Sequence, residues 1–155
     1  MQVFKKILCA VDFDNNSLAA LDFAARLATQ NNASLHPLHV VAVPVAGLGY
    51  PSTAYERLRH SAQRNLEEIT GRHVPAEVAC SAIVRVGDPA DAIIATANEL
   101  DVDLIVMATH ARSGIDRIVL GSVAESVLRR TNRPVLALTW QAAAAITSRI
   151  QTTIR

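Results

Sequence analysis

The chain has almost no charge surplus: 15 basic and 14 acidic residues leave +1 over 155 residues. A nucleic-acid binder would carry a basic excess, and a solvating or chaperone-binding segment would carry an acidic tail; neither is present. Cysteine is scarce too. Cys9 and Cys80 fall in different segments with no metal-ligand spacing, which reads as two reduced core thiols of a cytosolic protein. No apolar stretch approaches the length of a membrane span. "MQVFKKILCAVDF" sets Lys5 and Lys6 before apolar residues as a signal peptide would, but Asp12 ends the run too early and no small-residue cleavage site follows. A P-loop lysine, a nucleophile elbow and a Cys-His pair are likewise missing. What remains is a sequence that is 50% apolar and 19% charged, the make-up of one domain with a substantial core.

The apolar pattern alternates between strand and helix periods. "ILCAV" (7–11) is a continuous run, as expected of a parallel strand covered on both faces. From Ser17 a helix runs with Leu18, Leu21, Ala25 and Ala28 on one face and Asn31-Asn32 at its exit. "LHVVAV" (38–43) reads as the second strand, with Pro37 near its beginning because proline cannot donate to an inner ladder. After a loop (44–53), Tyr55, Leu58, Ala62, Leu66 and Ile69 share a helix face that Gly71 should stop. "AEVACSAIVRVG" (76–87) alternates as an edge strand would. Asp88 then caps a helix with Pro89 in its first position, ending near Leu100. "DLIVMA" (103–108), a helix over 122–131 and "PVLALTW" (134–140) complete the pattern. The fold expected is α/β: a single-domain, open five-stranded parallel sheet with helices on both faces, Rossmann-like, strand order 3-2-1-4-5. That domain covers residues 1–141. The tail, 142–155, spaces Ile146, Ile150 and Ile154 along a helical stripe, either a surface helix or a docking helix for a partner subunit.

In such sheets ligands bind beyond the C-terminal ends of the strands, where strand order reverses. With strands 1 and 4 adjacent, Asp12 in "AVDFDNNS" and the loop "MATHARSG" face one crevice. Gly121-Ser122 opens the next helix, where free amides and the positive dipole end suit a phosphate. Ser122 and Glu125 have capping-box spacing, which is also a purely structural device. Each polar candidate has a plainer alternative: Asp12 bonding its own loop amides, His110 idle on the surface, Arg112 paired with Asp116. Other motifs fail. "GLGYPS" (47–52) follows the wrong strand for a nucleotide fingerprint, and "HPLH" (36–39) sends its histidines to opposite strand faces. Asp12, Asp14 and Thr109 imitate a phospho-receiver pocket that lacks its remaining acid and lysine.

"ILCAVDF", "VGDPADAI", "DLIVMATHARSG" and "LGSVAESVLRRTNRPVLAL", in that order between residues 3 and 139, resemble the universal stress protein family. Its nucleotide-binding branch carries a glycine, two residues, a glycine, nine residues, then Gly-Ser or Gly-Thr. Here those positions are Ala108, Thr109-His110, Ala111, residues 112–120 and Gly121-Ser122, so the spacing is kept and both leading glycines are alanine. The resemblance implies that Asp12, with the backbone of Ala10 and Val11, meets a nucleoside, and that Val41 and Met107 border adenine. It also implies that His110, Arg112, Ser122, Val123 and Ala124 line the phosphates. A methyl group at Ala111 would narrow the phosphate loop. The expected protein is a cytosolic stress-response regulator binding ATP, AMP or ADP, with or without Mg. It is expected to be a homodimer through strand 134–140, extended to a higher oligomer through 142–155, and to serve a regulatory protein partner of unknown identity. No nucleic acid and no membrane is expected as partner. No residue is an obvious base for activating water, so slow hydrolysis or phosphate transfer is the most expected of it. The alternative is a ligand-free interaction module of the same fold, its site lost with the two glycines.

Overall fold

The computed structural model describes residues 3–43, 51–109 and 120–153. In chain order its elements are β1 (Lys6–Ala10), α1 (Asn15–Asn31), β2 (Ser34–Ala42), α2 (Ser52–His73) and β3 (Ile83–Gly87), then α3 (Pro89–Glu99), β4 (Leu104–Ala108), α4 (Ser122–Arg130), β5 (Val135–Leu138) and α5 (Trp140–Thr153). The five strands form one sheet in the order β3-β2-β1-β4-β5, every pair parallel. Ile7 lies between Leu35 of β2 and Leu104 of β4, which sets the register of the centre.

Apolar runs without alternation make both faces of the sheet hydrophobic, and helices bury both. On one face Ile7, Cys9, Leu35 and Val106 pack beneath Ala20, Leu21, Ala24 and Ala28 of α1 and Ala62 and Leu66 of α2. On the other, Leu8, Leu38, Ile105 and Met107 meet Ala90, Ile93 and Ala97 of α3 and Ala124 and Val127 of α4.

Several boundaries differ from those read in the sequence, each for a local reason. α1 starts at Asn15, because Asp14 caps it by accepting from the Ser17 amide at 2.7 Å; Ser17 lies inside the first turn. β2 starts at Ser34 and holds Pro37 in its interior. Leu35 exchanges backbone bonds with Ala79 and Ser81, while Ser34 and Leu38 bond to the β1 side, so odd residues of β2 face β3. Pro37 therefore aims its missing donor at residues 81–82, where the β3 ladder is interrupted. Of the stretch 76–87 only Ile83–Gly87 is strand, at the sheet edge; Cys80 makes a single bridge to Leu35. α2 runs through Gly71 to His73, whose Nδ1 lies 2.7 Å from Asp22 Oδ1 of α1. A glycine in the last turn costs a helix only about 1 kcal/mol, so Gly71 does not stop it. Leu58, placed on the buried face by its spacing, is 54% exposed.

The last strand ends at Leu138, and Thr139 caps α5 through its Oγ1 and carbonyl, accepting from Ala142 and Ala143. Ala142, Ala143 and Ile146 pack on the core beside α1, so that part of the tail is spent within its own domain.

Two expected outcomes follow from this architecture. Gly87, the last residue of β3 and next to the Asp88 cap, has φ +148°, while a Cβ there would meet no atom within 4 Å. Gly87→Ala should thus lose about 1–3 kcal/mol through backbone strain alone, read as a lower urea midpoint with unchanged slope.

Asp103, at the start of β4, accepts from the amides of Lys5 (2.7 Å) and Lys6 (2.9 Å). Those two bonds are the main reason its carboxyl sits below the ordinary 3.8. A carboxyl depressed on folding stabilises above its unfolded value and loses that contribution as pH falls through the folded one. Asp103→Ala should therefore be less stable than the parent at pH 7, with the gap closing below about pH 4.

Candidate functional site

After β1 the chain turns onto one face of the sheet through α1 and returns as β2; after β4 it crosses the other face through α4 and returns as β5. The two departing connections diverge and leave a crevice over the C-terminal ends of β1 and β4, the topological switch point of an open sheet. A cavity of about 300 Å³ occupies it. Its walls are Leu38 and Val40 of β2, Ile93 of α3, Met107 of β4, and Val123 and Ala124 of α4. Asp12, Ser17, His39 and Ser122 stand among these as polar groups. Such a slot suits a flat apolar ring system with a polar periphery.

The loop after β1 is built tightly. The Val11 amide donates to the Leu38 carbonyl at 2.8 Å, and the Asp12 amide to Ser17 Oγ at 3.2 Å. The Asp14 amide donates to Asp12 Oδ1 at 3.1 Å, so the carboxylate does bond its own loop while remaining exposed. Phe13 takes φ +68°, unusual for a bulky residue, and stacks on His39 with ring centroids 4.2 Å apart.

On the opposite wall, α4 begins at the cavity. Its cap is Gly121, with no side-chain capping bond, and Glu125 N donates to the Gly121 carbonyl at 2.9 Å. The expected capping box does not form: Ser122 is one residue inside the helix, and Glu125 turns to Arg129 at 2.8 Å. The first-turn amides, left without a side-chain cap, and the positive dipole end therefore stand on the cavity wall.

Of the candidate site residues, Ala10, Val11, Asp12, Met107, Ala108, Gly121, Ser122, Val123 and Ala124 line this cavity together. Val41 does not. Strand alternation turns its side chain to the α1–α2 face, and Val40 holds the cavity position instead. His110, Ala111 and Arg112, with Asp116, lie outside the described residues, as does most of "GLGYPS". Thr109 is buried: its amide (2.8 Å) and hydroxyl (3.3 Å) both donate to the Leu138 carbonyl.

Sequence reasoning missed Ser17, Leu38, His39, Val40, Ala42, Pro89 and Ile93 among the lining residues. Counting alternate residues back from the end of β2 would have found Val40. Pro89 and Ile93, four apart on α3, become legible only once that helix is placed over β2. Neither cysteine lines the cavity, and only Cys9 is a core thiol, since Cys80 is exposed. Partial desolvation of its sulfur still pushes the Cys80 thiol up to about 11, and full burial pushes that of Cys9 further, so neither offers a thiolate at neutral pH. His36 and His39 fall on different parts of β2. His36 has its pKa lowered by burial and then by Lys6, and no group of three or more His, Cys, Asp or Glu side chains among the described residues could hold a metal.

These features define a doubly wound α/β protein with its binding cavity at the β1/β4 switch point. Residues 4–139 match the universal stress protein family, and the chain belongs to it. Universal stress protein MJ0531 of Methanocaldococcus jannaschii is 33% identical over 138 residues, 86% of this chain and 81% of that protein. Universal stress protein MJ0577 of the same organism is 28% identical over 152 residues, 86% of this chain and 94% of that protein. The solved structure of protein MJ0577 has a TM-score of 0.75 at 27% identity and covers 88% of this chain and 96% of its own. A universal stress protein solved in complex with cAMP matches with a TM-score of 0.64 at 25% identity, over 88% of this chain and 98% of its own.

Proposed function

We propose that this stress-response protein binds an adenine nucleotide in the β1/β4 cavity and works as a cytosolic, homodimeric regulator. One observation carries the reading: a single apolar slot has a carboxylate on one side and a helix N-terminus without a side-chain cap on the other. Adenine fits between Val40, Ile93, Met107 and Val123. The Asp12 carboxylate, which only accepts, suits the hydroxyl or amino donors of a nucleoside. The amides at Gly121–Ala124 suit a phosphate, with His110 and Arg112 of the connecting segment as further donors to it. The cAMP-bound relative supports an adenine nucleotide as ligand class. ATP, ADP and AMP all satisfy this order of groups, and any Mg would arrive on the phosphates. Turnover is not part of the reading.

Gly121→Val places a branched side chain at the start of α4, at φ −62° and ψ 154°, which valine tolerates. Calorimetric titration should show ATP affinity at least ten-fold lower, about 1.4 kcal/mol, with adenosine changed by less than two-fold. A parent protein that binds neither ATP nor adenosine would instead be the ligand-free interaction module.

For assembly we propose pairing along β5. This edge strand is bonded to β4 on one side only. Ile105 and Thr109 donate to the carbonyls of Pro134 and Leu138, so even residues face β4 and Val135 and Ala137 present their backbone groups outward. Ala137→Pro removes an outward donor and no ladder bond to β4. Light scattering should then show a weakened dimer with unchanged far-UV dichroism; an undiminished dimer would place the interface elsewhere.

A further inference from the structure

The residue before Asp12 and the residue after it both rest on one imidazole. His39 Nδ1 lies 2.7 Å from the Val11 carbonyl oxygen. A carbonyl only accepts, so the ring carries its hydrogen on Nδ1 and donates, whether or not the other nitrogen is protonated. The same ring lies against Phe13 at 4.2 Å between centroids and 31° between planes. Phe13 is held at φ +68°, a backbone region that a bulky side chain leaves when its support is removed. His39 is itself half-buried and lines the cavity. Filling space in β2 would need only an apolar side chain, as at its neighbour Val41. The donor and the flat ring are both used, one on each side of Asp12.

We propose that His39 is a positioning residue of this site: through the Val11 carbonyl and the Phe13 ring it fixes where the Asp12 carboxylate meets the ligand. The proposal rests on the nucleotide reading above. It assigns specificity to a strand residue that acts through its neighbours, alongside the Ser17 hydroxyl that accepts from the Asp12 amide at 3.2 Å. Loss of His39 lets the left-handed turn relax, and Asp12 then samples positions from which its carboxylate misses the nucleoside.

The experiment is a double-mutant cycle on adenosine affinity, with two variants that separate the ring from the donor. His39→Phe keeps an aromatic face for Phe13 and removes the Nδ1 donor. His39→Asn places an amide donor close to the Nδ1 position and removes the ring. His39→Phe should weaken adenosine about ten-fold in the parent background and less than two-fold in an Asp12→Asn background. His39→Asn should restore at least half of the lost affinity on a logarithmic scale. Amide hydrogen exchange of the unliganded proteins should quicken at residues 12–14 in His39→Phe and stay unchanged in β4 and α4.

Equal losses with and without the Asp12 carboxylate would overturn the proposal, since His39 would then act on the ligand directly or on the fold at large. Faster exchange throughout the sheet would overturn it as well. A parent protein that binds no adenosine overturns the nucleotide reading and this role together, whereas a binding parent with equal losses overturns this role alone.

Discussion

β1 is bonded in parallel to β2 on one edge and to β4 on the other, and its Ile7, Leu8 and Cys9 are fully buried between helices on both faces. Since a parallel crossover must travel over a sheet face, the connections that leave β1 and β4 set off to opposite faces and opposite edges. A crevice then opens above these two strand ends. The cavity follows from this topology before any side chain is chosen. Side chains decide only its chemistry, which is apolar where α3 and α4 lean in and polar where the β1 loop turns back.

The helices are not held equally. α1 presents Ala20, Ala24, Ala25 and Ala28 to the sheet, and small side chains let its axis sit close over β1 and β4. α2, with 22 residues, buries only Ala62 and Leu66 and is tied at its far end by the His73–Asp22 pair. Burial is what separates global from local opening, so α2 belongs to the less stable part of the fold and α1 to its most stable part. The site draws on the firm half: Asp12 precedes α1, and its loop is bonded to β2 and to Ser17 of α1. A ligand there meets a preformed wall, which favours affinity by reducing the ordering required on binding.

The sequence made the sheet legible because two-sided burial writes itself as uninterrupted apolar runs, as in "ILCAV" and "DLIVMA". Helix starts governed by a single residue were legible too: Asp88 with Pro89 caps α3 by accepting from the Asp91 amide at 2.9 Å. What failed were inferences in which local propensity competes with tertiary contact. Gly71 did not stop α2, because buried Leu66 and the His73–Asp22 tie lie on either side of it. Pro37 entered an inner strand, because its missing donor falls opposite a gap in β3. Glu125 at capping-box spacing pairs with Arg129, since Gly121 and not Ser122 is the cap. Within the site, motif spacing located the β1 and α4 walls but not the β2 wall. Which of Val40 and Val41 faces the ligand depends on strand register, and a one-residue shift exchanges them.

The same reasoning gives the two alanines of the glycine motif different weights. Ala108 is the last residue of β4, where it pairs with Leu138 of β5, and it is not among the described residues with positive φ. A glycine there would gain no conformation that alanine lacks and would weaken the strand. Just beyond it, the Thr109 amide and hydroxyl both fasten to the Leu138 carbonyl, so the chain stays extended through that residue. Neither Ala108 nor Thr109 thus takes the conformation for which a phosphate loop needs glycine. It follows that the methyl group at Ala108 is compatible with a working site. Of the two alanines, the weight therefore falls on Ala111, which lies outside the described residues.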